Sequence, residues 1–133
     1  MTDFYSNAAS DNFRLLKSKP LSGTAATAGT WGLLRIPKYA FVTGVWVYIP
    51  TACSAADITI GWMGNTETAV PAGFMSSDIV KAGTVGYKVA INDTLLSSGQ
   101  KYFDKGPGSI TATLGTTWST GKLYVFCQYS VIR

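Results

Sequence analysis

The feature that most restricts this chain is an alternation of apolar and polar side chains with period two. It occurs in short runs cut off by glycine and proline. Residues 57–62 put Ile58, Ile60 and Trp62 on one side, and residues 109–114 do the same with Ile110, Ala112 and Leu114 against threonines. Residues 85–91 alternate through Tyr87, Val89 and Ile91. Successive side chains of a strand point to opposite faces, whereas a helix needs an apolar repeat near 3.6. Further runs over 32–36, 41–49, 100–103 and 122–132 bring the count to seven or eight strands. Residues 74–80 read either as a strand or as a short helical turn capped by Ser76 or Ser77. Val, Ile and Thr supply 33 of the 133 residues, which suits pleated, half-buried surfaces. The expected fold is all-β: a β-sandwich of jelly-roll-like order. A chain of this length buries about two-thirds of its extended surface, enough for one core.

One run is unusual. Over 41–49, Phe41, Val45, Val47 and Ile49 fall on one face, while Val42, Trp46 and Tyr48 fall on the other. A strand apolar on both faces is either central or covered by another subunit. Val42, Trp46 and Tyr48 are therefore candidate subunit-interface residues, and Pro50 is expected to stop the strand.

Residues 1–31 have a different character. A short patch, Phe13-Arg14-Leu15-Leu16-Lys17, precedes a run of small residues over 21–30, which reads as a linker. The expected division is an N-terminal arm and flexible linker over 1–31 and a sandwich over 32–133. Residues 1–38 carry five bases against two acids, whereas the remainder carries six against five. The net charge of +4 thus belongs mainly to the N-terminal third. Five spaced bases do not make the dense patch that neutralises several phosphates, so direct contact with nucleic acid is not expected. Phe13, Arg14, Leu15, Leu16, Lys17 and Lys19 instead suit docking on an acidic protein surface.

Catalytic chemistry is short of parts. The chain has no histidine and seven carboxylates. Asp57, Glu67, Asp78, Asp93 and Asp104 all sit beside turn signals, where solvated acids are ordinary. A calcium site drawn from Asp57, Asn65, Glu67 and Asp104 lacks the spaced loop that hard cations favour. Ser77 and Lys81 stand four apart, which does not match a Ser-x-x-Lys pattern, and Gly106-Pro107-Gly108 is a tight turn. Neither catalysis nor a metal or cofactor is expected. Cys53 and Cys127 lie in no CxxC pair and read as free thiols. The start of the chain lacks the pattern of a secretion signal, and no stretch is long enough to cross a bilayer, so membrane association is not expected. Most aromatics lie within alternating strands. Trp118 lies in a loop and is the candidate ligand contact.

Three stretches in order carry a family resemblance. The first is Ile36-Pro37-Lys38-Tyr39-Ala40-Phe41-Val42-Thr43-Gly44-Val45-Trp46-Val47-Tyr48-Ile49. The second is Asp57-Ile58-Thr59-Ile60-Gly61 with the loop Asn65-Thr66-Glu67-Thr68. The third runs from Tyr102-Phe103 through Ser109-Ile110-Thr111-Ala112-Thr113-Leu114 to Thr120-Gly121-Lys122-Leu123-Tyr124-Val125-Phe126. Together they resemble small virion proteins of tailed bacteriophages, typically capsid decoration or cement proteins. The resemblance covers roughly residues 32–133. It implies a non-enzymatic homo-oligomer, expected to be a trimer, bound to the major capsid protein on the capsid exterior after assembly in the host cytoplasm. The alternative is a carbohydrate- or receptor-binding module of a fibre or tail, with Trp118 as its stacking residue. A tail or connector role in the same virion is a third reading.

Overall fold

The alternating runs close into two antiparallel sheets that face each other across one apolar core. The computed structural model describes residues 13–23, 26–89 and 100–132. Among these, ten strands run in chain order: β1 (Phe13–Lys17), β2 (Leu21–Ser22), β3 (Gly29–Ile36), β4 (Ala40–Thr51), β5 (Ile58–Gly64), β6 (Val70–Met75), β7 (Gly86–Val89), β8 (Lys101–Tyr102), β9 (Gly108–Leu114) and β10 (Lys122–Val131). The helix α1 (Ser77–Val80) lies between β6 and β7. The first sheet has the order β1-β10-β4-β7, with β2 also on β10 and β8 also on β4. The second has the order β3-β9-β5-β6. The architecture is thus the all-β sandwich that the alternation implies.

Inward-facing side chains of both sheets make the core. Val45, Val47, Ile49, Leu123, Val125 and Cys127 come from the first sheet. Ile36, Ile58, Ile60, Ile110, Ala112 and Leu114 come from the second, and all twelve are buried. Phe74, Met75 and Phe103 fill the space beside them.

The face assignment of β4 departs from simple alternation. Opposite β10, Gln128 pairs with Gly44 but Tyr129 pairs with Val42, leaving Thr43 as an extra residue. One extra residue moves every following side chain to the other face. Val42 therefore points into the core and is fully buried, while Phe41 takes the outer face. Val42 is corrected from a subunit-interface candidate to a core residue. Pro50 does not end the strand: β4 runs on to Thr51, with a second register shift where Pro50 has no N–H to offer. The ambiguous run over 74–80 splits, its first two residues closing β6 and residues 77–80 forming α1. Ser76 holds the N-cap position without a side-chain capping bond. Asp93 and Ile91 lie outside the described residues.

The expected boundary at residue 31 falls within β3, and the expected arm contributes two strands. Phe13–Lys17 pairs along its length with β10, from Phe13 opposite Ser130 to Lys17 opposite Phe126. β2 continues along the same edge, with Leu21 opposite Leu123. Ser18 bridges the break. Its N–H donates to the Val125 carbonyl at 2.9 Å, and its Oγ accepts the Val125 N–H at 2.9 Å. The side chain thus replaces a main-chain acceptor at a buried position. Residues 1–31 therefore include β1, β2 and the start of β3.

Cys53 and Cys127 are free and buried. Burial pushes the Cys53 thiol up to about 11, a bond from the Lys122 backbone working the other way, and pushes Cys127 up to about 12.

Two outcomes follow. Ser18→Ala leaves the Val125 N–H buried without an acceptor and should cost about 1–3 kcal/mol in urea unfolding. The thiols make stability fall with rising pH. From the ordinary thiol value upward the unfolded chain releases protons that the folded chain keeps, at up to about 1.4 kcal/mol per pH unit per thiol. A Cys53→Ala, Cys127→Ala variant should show a shallower loss of stability between pH 9 and 11 in parallel unfolding curves.

Candidate protein-docking face

The outer surface of the first sheet is built from direct cross-strand neighbours. Opposed residues of an antiparallel pair share a face with Cβ atoms about 5 Å apart, so the registers dictate what touches. One row reads Lys17, Phe126, Trp46 and Val89 across β1, β10, β4 and β7. The next reads Tyr124, Tyr48 and Tyr87. At the far end, Phe13, Ser130, Phe41 and Tyr102 line up in the same way.

The rings stack along these rows. Tyr48 lies 4.4 Å from Tyr87 and 6.4 Å from Tyr124, centroid to centroid. Trp46 and Phe126 are parallel at 5.7 Å. The Lys17 ammonium sits 4.6 Å over Tyr124 and 5.9 Å from Phe126, so a cation ends the stack on the β1 side. On the opposite edge, Lys88 reaches back to the loop before β7. Its Nζ donates to the carbonyls of Lys81 and Thr84, each at 3.2 Å, and to Thr84 Oγ1 at 2.6 Å. Burial and then the Lys81 charge lower the Lys88 pKa below its usual value. These bonds hold the loop against β7 while Tyr87 and Val89 point outward.

The two edges of this face are its most exposed parts. Leu15 and Tyr87 are each 66% exposed, on β1 and β7 respectively, with Phe13 and Val89 beside them. The outer face of the second sheet is a contrast. It carries Thr30, Thr113 and Thr59 in one row and Gly32, Thr111 and Gly61 in the next, where Thr111 and Gly61 are themselves buried.

The structure brings together residues that the sequence placed in two separate sites. Phe13, Leu15 and Lys17 share the outer face with Trp46 and Tyr48. Leu16 turns inward and packs against the core, and Arg14 lies on that same inward side of β1, opposite Tyr129. Lys19 is exposed beyond Ser18. Tyr87, Tyr124 and Phe126 complete the face. Their cross-strand registers, which unite them, have no local signal.

Trp118 is corrected from a ligand contact. It is 2% exposed, and its backbone N–H donates to the Ala26 carbonyl at 3.0 Å. The loop carrying it is held by Ser54 Oγ, which accepts the Ser119 N–H at 2.9 Å, and by Thr117 Oγ1, which accepts the Ala28 N–H at 2.9 Å. The indole plugs one end of the sandwich, and its Nε1–H has no partner among the described atoms. Two of the three acids of the considered calcium site are also engaged: Glu67 pairs with Lys101 at 2.9 Å, and Asp57 accepts the Thr116 hydroxyl at 2.7 Å. No group of three or more metal-ligating side chains occurs among the described residues.

The fold and face define an all-β sandwich with one aromatic outer surface, and similar sandwiches occur in solved phage capsids. A chain of the acidic stable capsid structure of Helicobacter pylori bacteriophage KHP30 matches with a TM-score of 0.60 and 14% identity, over 89% of this chain and 86% of that one. A chain of the cyanophage Pam1 capsid asymmetric unit matches with a TM-score of 0.60 and 18% identity, over 91% and 86%. The near-reciprocal coverage means that the matched chains are about as long as this one. No family model and no curated protein matches the sequence.

The stack makes a measurable contribution of its own. Tyr48→Leu keeps apolar area but removes the ring between Tyr87 and Tyr124. It should cost about 1 kcal/mol in urea unfolding, with the m-value unchanged.

Proposed function

We propose that this protein is a structural component of a phage virion, a capsid decoration or cement protein that binds the major capsid protein lattice and reinforces the head. The observation that carries the reading is the shared sandwich, at matching length, in two phage capsid structures. The chain order supports it as well. The chain crosses repeatedly between two sheets, β1/β2-β10-β4-β7/β8 and β3-β9-β5-β6, in the manner of the jelly rolls found in viral capsids.

The role follows from the aromatic face. Apolar surface that stays contiguous on a small domain is costly unless another protein covers it. Trp46, Tyr48 and Tyr87 meet sister copies in a trimer, while Phe13, Leu15, Lys17 and Lys19 on the β1 side meet the capsid lattice. A domain that only binds needs the parts seen here: apolar anchors, a few bases at the rim and a rigid scaffold beneath.

The carbohydrate-binding alternative loses its residue, because Trp118 is buried. Tyr48, at the centre of the outer face, does not replace it. Tyr48 has another ring on each side, so it offers an edge rather than a free face to a sugar.

The test mixes purified protein with heads that lack it, followed by sedimentation, alongside size measurement of the protein alone. The full chain should run as a trimer and co-sediment with heads. Leu15→Asp and Tyr87→Asp alter exposed side chains and should leave the thermal transition within a few degrees. Leu15→Asp should abolish co-sedimentation, and Tyr87→Asp should yield a smaller species. Wild-type protein that sediments apart from the heads would overturn the assignment.

A further inference from the structure

The second sheet has a polar feature that the docking face leaves unused. Arg35, Ser109 and Met63 are direct neighbours across β3, β9 and β5. Ser109 is small, so the two longer side chains stand as walls with a low floor between them. The loops after β5 and before β9 close one end through Asn65 and Pro107. The result is a cleft of about 330 Å³.

The loops that close its end are held together before anything binds. The Asn65 backbone N–H donates to the Pro107 carbonyl at 3.3 Å, and Thr66 Oγ1 donates to the Lys105 carbonyl at 3.0 Å. These bonds tie the two loops together and leave the Asn65 amide free. Among the described residues, the Arg35 guanidinium, the Asn65 side chain and the Ser109 hydroxyl have no hydrogen-bond or ionic partner, and no carboxylate lines the cleft.

We propose that this cleft recognises a carboxylate: Arg35, with Asn65 and Ser109, receives an acidic side chain presented by a partner protein. A guanidinium offers two parallel N–H donors that match the two oxygens of a carboxylate. An amide and a hydroxyl supply further neutral donors. The charge count favours a carboxylate over a phosphate group. One guanidinium neutralises one charge, whereas a phosphate monoester carries nearly two at neutral pH. Met63 and Pro107 give apolar contact to the methylene stem of an Asp or Glu. The site lies on the sheet opposite the aromatic face, so it is independent of the decoration reading and survives if that reading fails.

The experiment is an NMR titration of the ¹⁵N-labelled full chain with N-acetylglutamate N-methylamide, its glutamine analogue and inorganic phosphate. The glutamate probe should give saturable shifts at the amides of Gly64, Asn65, Gly108 and Ser109. Half-saturation should be on the order of 10 mM, as suits a single exposed ion pair. The glutamine analogue should give no saturable shift. Arg35→Gln changes an exposed side chain, keeps the fold and should weaken binding by about tenfold or more. Ser109→Val keeps the guanidinium but fills the floor, and should also abolish saturation. Equal shifts with the glutamine probe, or binding retained in either variant, would overturn the proposal. Phosphate binding tighter than the glutamate probe would reject a carboxylate ligand.

Discussion

The pairing of β4 with β10 is the constraint on which the rest depends. These two strands form the middle of the first sheet, and each supplies side chains to both of its faces. Val45, Val47 and Ile49 with Leu123, Val125 and Cys127 form half of the core. Trp46 and Tyr48 with Tyr124 and Phe126 form the centre of the outer surface. The ladder joins residues about eighty positions apart, so it closes only when most of the chain has been brought together. Contacts of such separation must meet a loop-closure cost before they return any stability, which makes this a slow-folding topology. The bulge at Thr43 then sets which side of β4 faces inward on each side of it. A single residue thereby decides that Val42 is core and Phe41 is surface.

The sandwich presents two chemically different outsides. The first sheet is a field of stacked rings edged by Lys17, Leu15 and Phe13. The second is threonine and glycine, with Arg35 at one end beside a small polar cleft. Among the described residues, Leu15, Tyr87, Phe13 and Val89 of the aromatic side stay exposed. The threonine side is stable in water as it stands. Trp118, held through Ala26, packs into the core cluster without using either face.

Several strands were legible in the sequence because their alternation is local. β5, β9 and β10 needed no information beyond period two and the glycines that bound them. β1 was not legible. Its patch, Phe13-Arg14-Leu15-Leu16-Lys17, has apolar neighbours on both sides of the backbone and a small-residue run behind it, which together look like an arm. Only the edge of β10 turns it into a strand. Trp118 misled for a related reason. A tryptophan in a Gly/Thr/Ser loop looks exposed, but the loop folds back over the sandwich end, where its neighbours are Ala26 and Ser54, distant in sequence.

The sequence alone determined the secondary-structure class, the single core, the lack of histidine and the placing of Trp46 and Tyr48 on one side of the same strand. All of these follow from composition and from a repeat that can be read in a window of a few residues. Tertiary structure decided which residues share a face, because face sharing is a matter of register between distant strands. It merged the N-terminal patch with the two aromatics of β4, withdrew Val42 into the core at the bulge and buried Trp118. It also set Arg35 beside Ser109 and Asn65, three residues that no local pattern connects. Their shared position depends on hydrogen-bonded ladders that form only in the folded chain.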